Sequence, residues 1–176
     1  MANARHVRGC ADGFKVGADA MQAAMALADE FGVGCISVDN AFHYNWGAGY
    51  VMRAASKGYI AFTTCTGAIP EVVPPGGRTP TMGTNPHTWA FPTREAIGYD
   101  VVLDWATSHM SKGAVQAMAR EGKQLPAGVA VDANGCLTTD PTNVAGLLPF
   151  GEGSVSRHRA VAMASSSWLG ARSSLS

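Results

Sequence analysis

The chain has 176 residues, 47% of them apolar and only 15% charged, and its 13 basic and 13 acidic side chains sum to no net charge. That length suits one domain and is enough to bury a core. The neutral balance leaves no electrostatic footprint for nucleic acid or an anionic membrane surface, and no apolar run of roughly 18 residues is present to span a bilayer.

Residues 1–10 lack the apolar h-region of a signal peptide, so a reducing cytoplasmic setting is expected. Residues 1–16 read as irregular, with Asp12-Gly13 as a turn. From Gly17 to Phe31 the apolar residues Met21, Ala24, Met25, Ala28 and Phe31 recur at helical spacing, and Gly32 stands where a glycine closes a helix. This stripe reads as core packing. Cys35-Ile36-Ser37-Val38 reads as a short strand ending at Asp39-Asn40. A dense cluster follows, Phe42-His43-Tyr44-Asn45-Trp46-Gly47-Ala48-Gly49-Tyr50. A His among aromatics and glycines at a strand end can donate a proton or orient a carbonyl, or it can simply be satisfied by a backbone carbonyl.

Tyr50 to Lys57 reads as a helix capped by Gly58, with Arg53 and Lys57 toward its C-terminus, where basic residues suit the dipole. Tyr59 to Thr66 is rich in aromatic, β-branched and Thr residues and reads as a strand. A Pro-rich connector leads to Gly76-Gly77-Arg78-Thr79-Pro80-Thr81-Met82-Gly83-Thr84-Asn85-Pro86-His87. This run is dense in residues that shape backbone. His87 to Pro92 is the next short strand. Val101-Val102-Leu103 reads as a buried strand ending on Asp104, Thr107 and Ser108. A shaped loop beside a polar-tipped strand is a common way to build a ligand site, although a plain surface turn beside an edge strand has the same composition.

A helix is expected from an N-cap at Thr107 or Ser108 to about Glu121, with Ala114, Val115, Met118 and Ala119 on its apolar face. Val129 to Gly135 reads as a strand entering an Asn-Gly hairpin turn. Residues 152–176 change character to Ser and Arg, a composition expected of a poorly ordered tail. The cysteines Cys10, Cys35, Cys65 and Cys136 form no C-x-x-C and no clustered ligand set, so no metal site is expected. Cys35 and Cys65 read as buried small residues. No G-x-G-x-x-G follows a strand, and neither G-x-x-x-x-G-K-[ST] nor G-x-S-x-G occurs.

Three blocks, taken in order, resemble the type 2 malate/L-lactate dehydrogenase family, which also includes sulfolactate dehydrogenase, ureidoglycolate dehydrogenase, diketogulonate reductase and piperideine-carboxylate reductase. Asn40 to Tyr50 is similar to the family's N-S-x-H-x-G-x-x-G-x-Y. Pro74-Pro75-Gly76-Gly77 with Gly83-Thr84-Asn85-Pro86 is similar to P-x-G-G…G-T-N-P. Asp104-Trp105-Ala106-Thr107-Ser108 is similar to D-x-A-T-S. Gln124-Leu125-Pro126, Asp132-x-x-Gly135, Thr138-Thr139-Asp140-Pro141 and Leu147-Leu148-Pro149-Phe150-Gly151 extend the likeness, which covers about residues 12–151.

The resemblance implies an α/β fold of the malate/L-lactate/sulfolactate dehydrogenase type, not a Rossmann fold and only partial here. It implies exchange between 2-oxo and 2-hydroxy acids with NAD or NADP, in a homodimer. By resemblance His43 is the catalytic candidate, Thr84 and Asn85 bind substrate, and Asp104, Ala106, Thr107 and Ser108 bind cofactor. Two departures stand beside these matches. Residues 1–11 hold no counterpart of the family's S-H-G motif, whose His is the usual proton donor. Glu152-Gly153-Ser154 stands where the family has an H-K-G-Y-G-type block. Residues 1–151 therefore read as a partial NAD(P)-binding and catalytic domain, and residues 152–176 as a divergent tail of the kind a shifted reading frame produces.

Overall fold

The computed structural model describes residues 3–8, 12–41, 43–67, 69–149 and 170–172, the first and last of these as backbone only. Their elements are β1 (Asn3–Arg8), α1 (Gly13–Phe31), β2 (Val33–Asp39), α2 (Ala48–Ala55), β3 (Tyr59–Thr64), β4 (His87–Phe91), α3 (Arg94–Ile97), β5 (Val101–Trp105), α4 (Lys112–Arg120), β6 (Ala130–Val131), a 3-10 turn (Pro141–Asn143), β7 (Gly146–Leu147) and β8 (Gly170–Arg172). They divide into two compact units, residues 1–65, 87–105 and 167–176, and residues 66–86 and 106–166.

The first unit is a mixed sheet in the order β1-β2-β8-β3-β4-β5. β1 runs parallel to β2, and every other neighbouring pair is antiparallel. β1 lies in a stretch expected to be irregular. Its sequence, Asn-Ala-Arg-His-Val-Arg, has no alternating pattern, and pairing along β2 defines the strand. The helix α1 begins earlier than its apolar period suggests. Asp12 is its N-cap rather than part of a turn, accepting from the amides of Phe14 (3.0 Å) and Lys15 (3.5 Å). At the other end Gly32 takes φ 80°, which a side chain would resist.

The core of this unit is built from Met25, Ala28, Val51, Ala54, Ala55, Tyr59, Ala61 and Ala90. Phe31, expected on the same face, is instead exposed at the helix end. Burial of a side chain such as Val51 contributes about 1.5–3 kcal/mol. The small residues let helix and sheet approach closely. Gly34 on β2 passes so near α1 that a Cβ there would collide with the carbonyl of Ala24.

The strand β5 is the sheet's edge. It is half-buried to exposed rather than buried, with Leu103 46% accessible. An apolar run alone does not distinguish a central strand from an edge strand. In register, Phe62 faces Trp89 across β3 and β4, and His87 faces Trp105 across β4 and β5. Their rings pack with centroids 4.4 Å and 6.2 Å apart.

In the second unit Val115, Leu125, Val129, Ala130 and Leu147 form a separate core, packed by Met110, Met118 and Val144. The N-cap of α4 is Ser111, whose hydroxyl accepts from Ala114 N at 3.1 Å. Thr107 and Ser108, expected as caps, precede it, and the Thr107 hydroxyl bonds the Thr84 carbonyl instead. The Asn-Gly turn forms as expected, with Val131 bridging Leu137, while β6 takes β7 as its ladder partner. Cys35 and Cys65 are half-buried rather than buried, and burial pushes the Cys65 thiol up from its ordinary value. Cys10, Phe42, Phe150, Gly151 and most of the Ser/Arg tail lie outside the described residues, although Gly170–Arg172 of that tail forms β8 between β2 and β3. Among the described residues no helix is long and apolar enough to cross a membrane.

Two expectations follow from this packing. Gly34→Ala forces β2 and α1 apart and is expected to cost about 1–3 kcal/mol in urea unfolding, as overpacked cores do. Burial lowers the His87 imidazole below its ordinary value, so the folded state binds that proton less tightly than the unfolded chain. Stability from this source is complete above the unfolded value, about 6.5, and is lost as pH falls through the lowered folded value. Melting temperatures taken between pH 7.5 and 5 are expected to fall with pH, and less steeply in His87→Gln.

Candidate functional site

The first unit carries His43 and Asp104, and the second carries Thr84, Asn85, Ala106, Thr107 and Ser108. In the first, the connection from β2 to α2 holds Asn40, His43 and Asn45 at φ 51°, 63° and 59°. Asn tolerates the left-handed region; His does so less readily, and a residue there costs about 1–2 kcal/mol. His43 is exposed on this turn, and its carbonyl accepts from Asn45 Nδ2 at 3.4 Å.

The turn is tied at several points. Tyr50, within α2, donates its hydroxyl to the Tyr44 carbonyl at 2.6 Å, and the two rings meet edge to face at 5.6 Å. The Tyr44 hydroxyl lies 3.3 Å from Thr88 Oγ1. Thr88 in turn donates to Asp104 Oδ1 at 2.7 Å. The other Asp104 oxygen accepts from Ala48 N, at the start of α2, at 3.1 Å. A carboxylate suits this place, because unsatisfied amides and the helix dipole both favour negative charge there. Burial pushes the Tyr44 phenol up from its ordinary value, and its hydrogen bonds with Thr63 and Thr88 only partly reverse this. Tyr44 is therefore a protonated donor at neutral pH.

In the second unit Thr107 grips the carbonyl of Thr84 twice, through its amide and its hydroxyl, each at 2.8 Å. Asn85 sits at φ 35° and accepts from Gly67 N through Oδ1 at 2.9 Å. Gly67 and Gly83 press together, and a Cβ on Gly83 would stand 2.7 Å from the Gly67 Cα. Ser108 Oγ is buried and makes no hydrogen bond among the described residues. Thr84, Asn85 and Thr107 are thus brought together, and Ser108 follows them in the chain. Among the described residues no three His, Cys, Asp or Glu side chains gather as metal ligands would.

Sequence reasoning missed Thr88. Its one sequence signal is a polar residue in phase with the core residue Ala90 on β4. Tyr44 and Gly47 lay inside a motif block but had no role assigned.

Both loops thus hold non-glycine residues in the left-handed region and are tied by side-chain hydrogen bonds to an α/β scaffold. The sequence profile of the malate/L-lactate dehydrogenase family matches residues 10–166, and the chain belongs to that family. The match runs beyond residue 151, where the motif likeness stopped. The chain is 34% identical over 151 residues to the malate/(S)-sulfolactate dehydrogenase of Methanothermus fervidus, covering 85% of this chain and 42% of that protein. It is 39% identical over 138 residues to the Delta(1)-pyrroline-2-carboxylate/Delta(1)-piperideine-2-carboxylate reductase of Pseudomonas putida, covering 76% and 39%. The solved sulfolactate dehydrogenase of Methanocaldococcus jannaschii superposes with a TM-score of 0.72 at 32% identity, over 92% of this chain and 46% of that one. The chain thus spans less than half the length of these relatives, and it shares the mixed α/β fold of the solved dehydrogenase.

Asn85 gives a direct check of how its loop is held. Asn85→Ala loses the bond to Gly67 and leaves a Cβ in the left-handed region, and is expected to cost about 2 kcal/mol. Asn85→Gly loses only the bond and is expected to cost about 1 kcal/mol. Urea unfolding of the two variants measures the difference.

Proposed function

We propose that this chain carries part of a site that interconverts a 2-oxo acid and a 2-hydroxy acid with NAD or NADP, within a homodimer of non-Rossmann α/β fold. One observation carries the reading. Every non-glycine residue held at positive φ among the described residues, Asn40, His43, Asn45 and Asn85, falls inside a block that matches a family motif. Backbone strain persists where the surrounding structure enforces it, and it clusters at functional sites.

The residues suit the roles. An exposed imidazole can hand a proton to the substrate oxygen as the carbonyl carbon gains hydride. With its Oδ1 tied to Gly67 N, Asn85 has amide N–H groups suited to a substrate carboxylate, and the Thr84 hydroxyl can add a second donor. Ser108 supports the fit of a cofactor, because a buried hydroxyl without a partner among the described residues calls for one. Asp104, Ala106, Thr107 and Ser108 would hold the dinucleotide, which when bound supplies the hydride. The protein's share is orientation and electrostatics.

A second reading, a catalytically inactive module that binds or pairs, has its own support. Both Asp104 oxygens and the Thr107 hydroxyl are already engaged within the fold.

Titration with NADH and with NADPH, followed by nicotinamide fluorescence, separates the two readings. Saturable binding of either, weakened in Ser108→Ala, is expected. Absence of binding to both favours the inactive module. Reduction of 2-oxo acids by the 176-residue chain is expected to be slow, because both Asp104 oxygens and the Thr107 hydroxyl are already engaged within the fold. Turnover at an ordinary enzyme rate, roughly 1–10³ s⁻¹, would overturn that expectation.

A further inference from the structure

We propose that the buried hydroxyl of Thr88 is a positioning group for His43, acting through Tyr44. The proposal rests on the reading above in one respect only, that His43 faces the substrate.

The His43 turn holds a His in a region that the Asn residues on either side enter more readily. Asn40, His43 and Asn45 all occupy the left-handed region, and such a conformation persists only where the surrounding structure over-determines it. Among the described side chains of this turn, Tyr44 reaches into the sheet. Its hydroxyl meets Thr88 Oγ1, and Thr88 is fully buried on β4.

The direction of the bonds follows from proton counting. A threonine hydroxyl has one proton. Thr88 gives that proton to Asp104 Oδ1 at 2.7 Å, so it accepts from Tyr44. The phenol, held protonated by burial, has a proton to give. The chain therefore runs one way, from Tyr44 to Thr88 to Asp104. Asp104 closes the arrangement by accepting from Ala48 N at the start of α2. Both ends of the stretch from Tyr44 to Ala48 are tied to the same carboxylate, one directly and one through Thr88.

The strand register makes this possible. Thr63 pairs with Thr88, and Thr88 with Asp104, so the three lie in one row across β3, β4 and β5. Gly47 leaves the space. Its φ is −61°, which any residue adopts, so backbone conformation does not require glycine there. A Cβ at this position would instead collide with Thr88 Oγ1 and the Tyr44 hydroxyl. The backbone of the turn thus lies directly against the hydroxyl pair. Removing the Thr88 hydroxyl takes from Tyr44 the partner that ties it to Asp104, leaving it Thr63 alone, and takes a donor from Asp104, so the residue next to His43 loses its link to the carboxylate.

The test uses the full chain carrying Thr88→Val, which keeps shape and loses the hydroxyl, and Thr88→Ser, which keeps the hydroxyl and loses a methyl. The readout is the imidazole signals of His43 in long-range ¹H–¹⁵N spectra across a pH titration, assigned with His43→Gln. Circular dichroism monitors the fold. In Thr88→Val the His43 signals and titration midpoint are expected to move, with the His109 signals unchanged. Thr88→Ser is expected to restore them. A purely packing role predicts the opposite order, since Val replaces the volume better than Ser does. Unmoved His43 signals in folded Thr88→Val overturn the proposal, as does a Ser variant that behaves like Val. Should Thr88→Val not fold, Tyr44→Phe breaks the same bond from the other side; displaced His43 signals then support the proposal and unmoved ones overturn it. If the His43 signals move in these variants but His43→Gln binds pyruvate in the presence of NADH as the parent chain does, the positioning role stands and the substrate role of His43 falls.

Discussion

In the first unit, the register of three short strands fixes where polar groups can stand. β3, β4 and β5 pair so that Thr63, Thr88 and Asp104 form a row, with Ala61, Ala90 and Val102 beside them on the same face. The apolar members join the core beneath α1 and α2. The polar members sit at the end of that face and meet the start of α2. A shift of one residue in β4 would turn Thr88 to the other face and bring an aromatic side chain under the helix. The hydrogen bonds of Asp104 to Ala48 and to Thr88 therefore depend on the same pairing that buries the core.

Small residues make the rest of the arrangement feasible. Gly34 lets α1 lie on β2, and Gly47 lets the β2–α2 connection lie against two hydroxyls. In the second unit Gly67 and Gly83 allow two backbone segments to touch beneath Asn85. In each case backbone approaches within a distance that any side chain would forbid. The two motif-bearing turns are thus built alike. In the first, left-handed His43 and Asn45 flank Tyr44, whose hydroxyl lies against Gly47; in the second, left-handed Asn85 bonds Gly67, which meets Gly83.

Several elements were legible because their determinants are local. The apolar spacing of Met21, Met25 and Ala28 and the glycine at Gly32 mark α1 whatever it packs on. The aromatic and β-branched run of β3 and the alternating residues of β4 mark strands in the same way. Other features were not legible. Asp12-Gly13 has a turn composition, and only the helix that follows turns Asp12 into a cap. Val101 to Leu103 reads as a buried strand, and its position at the sheet edge depends on β4 alone lying beside it. β1 carries no pattern and exists through its pairing with β2.

For the site, the sequence by itself determined family membership and the residue types of each block, because order and spacing of the motifs are properties of the chain. It placed His43, Thr84, Asn85, Asp104, Ala106, Thr107 and Ser108 at strand ends and turns, where they are found. Only the tertiary structure decided what those residues hold. Thr107 grips the Thr84 carbonyl across a wide gap in sequence, Asp104 caps a helix that precedes it by many residues, and Thr88 joins Tyr44 to Asp104. The reason is physical. A motif records which side chains are present, whereas a hydrogen bond between distant strands and loops requires the sheet register and the close backbone contacts that only folding supplies.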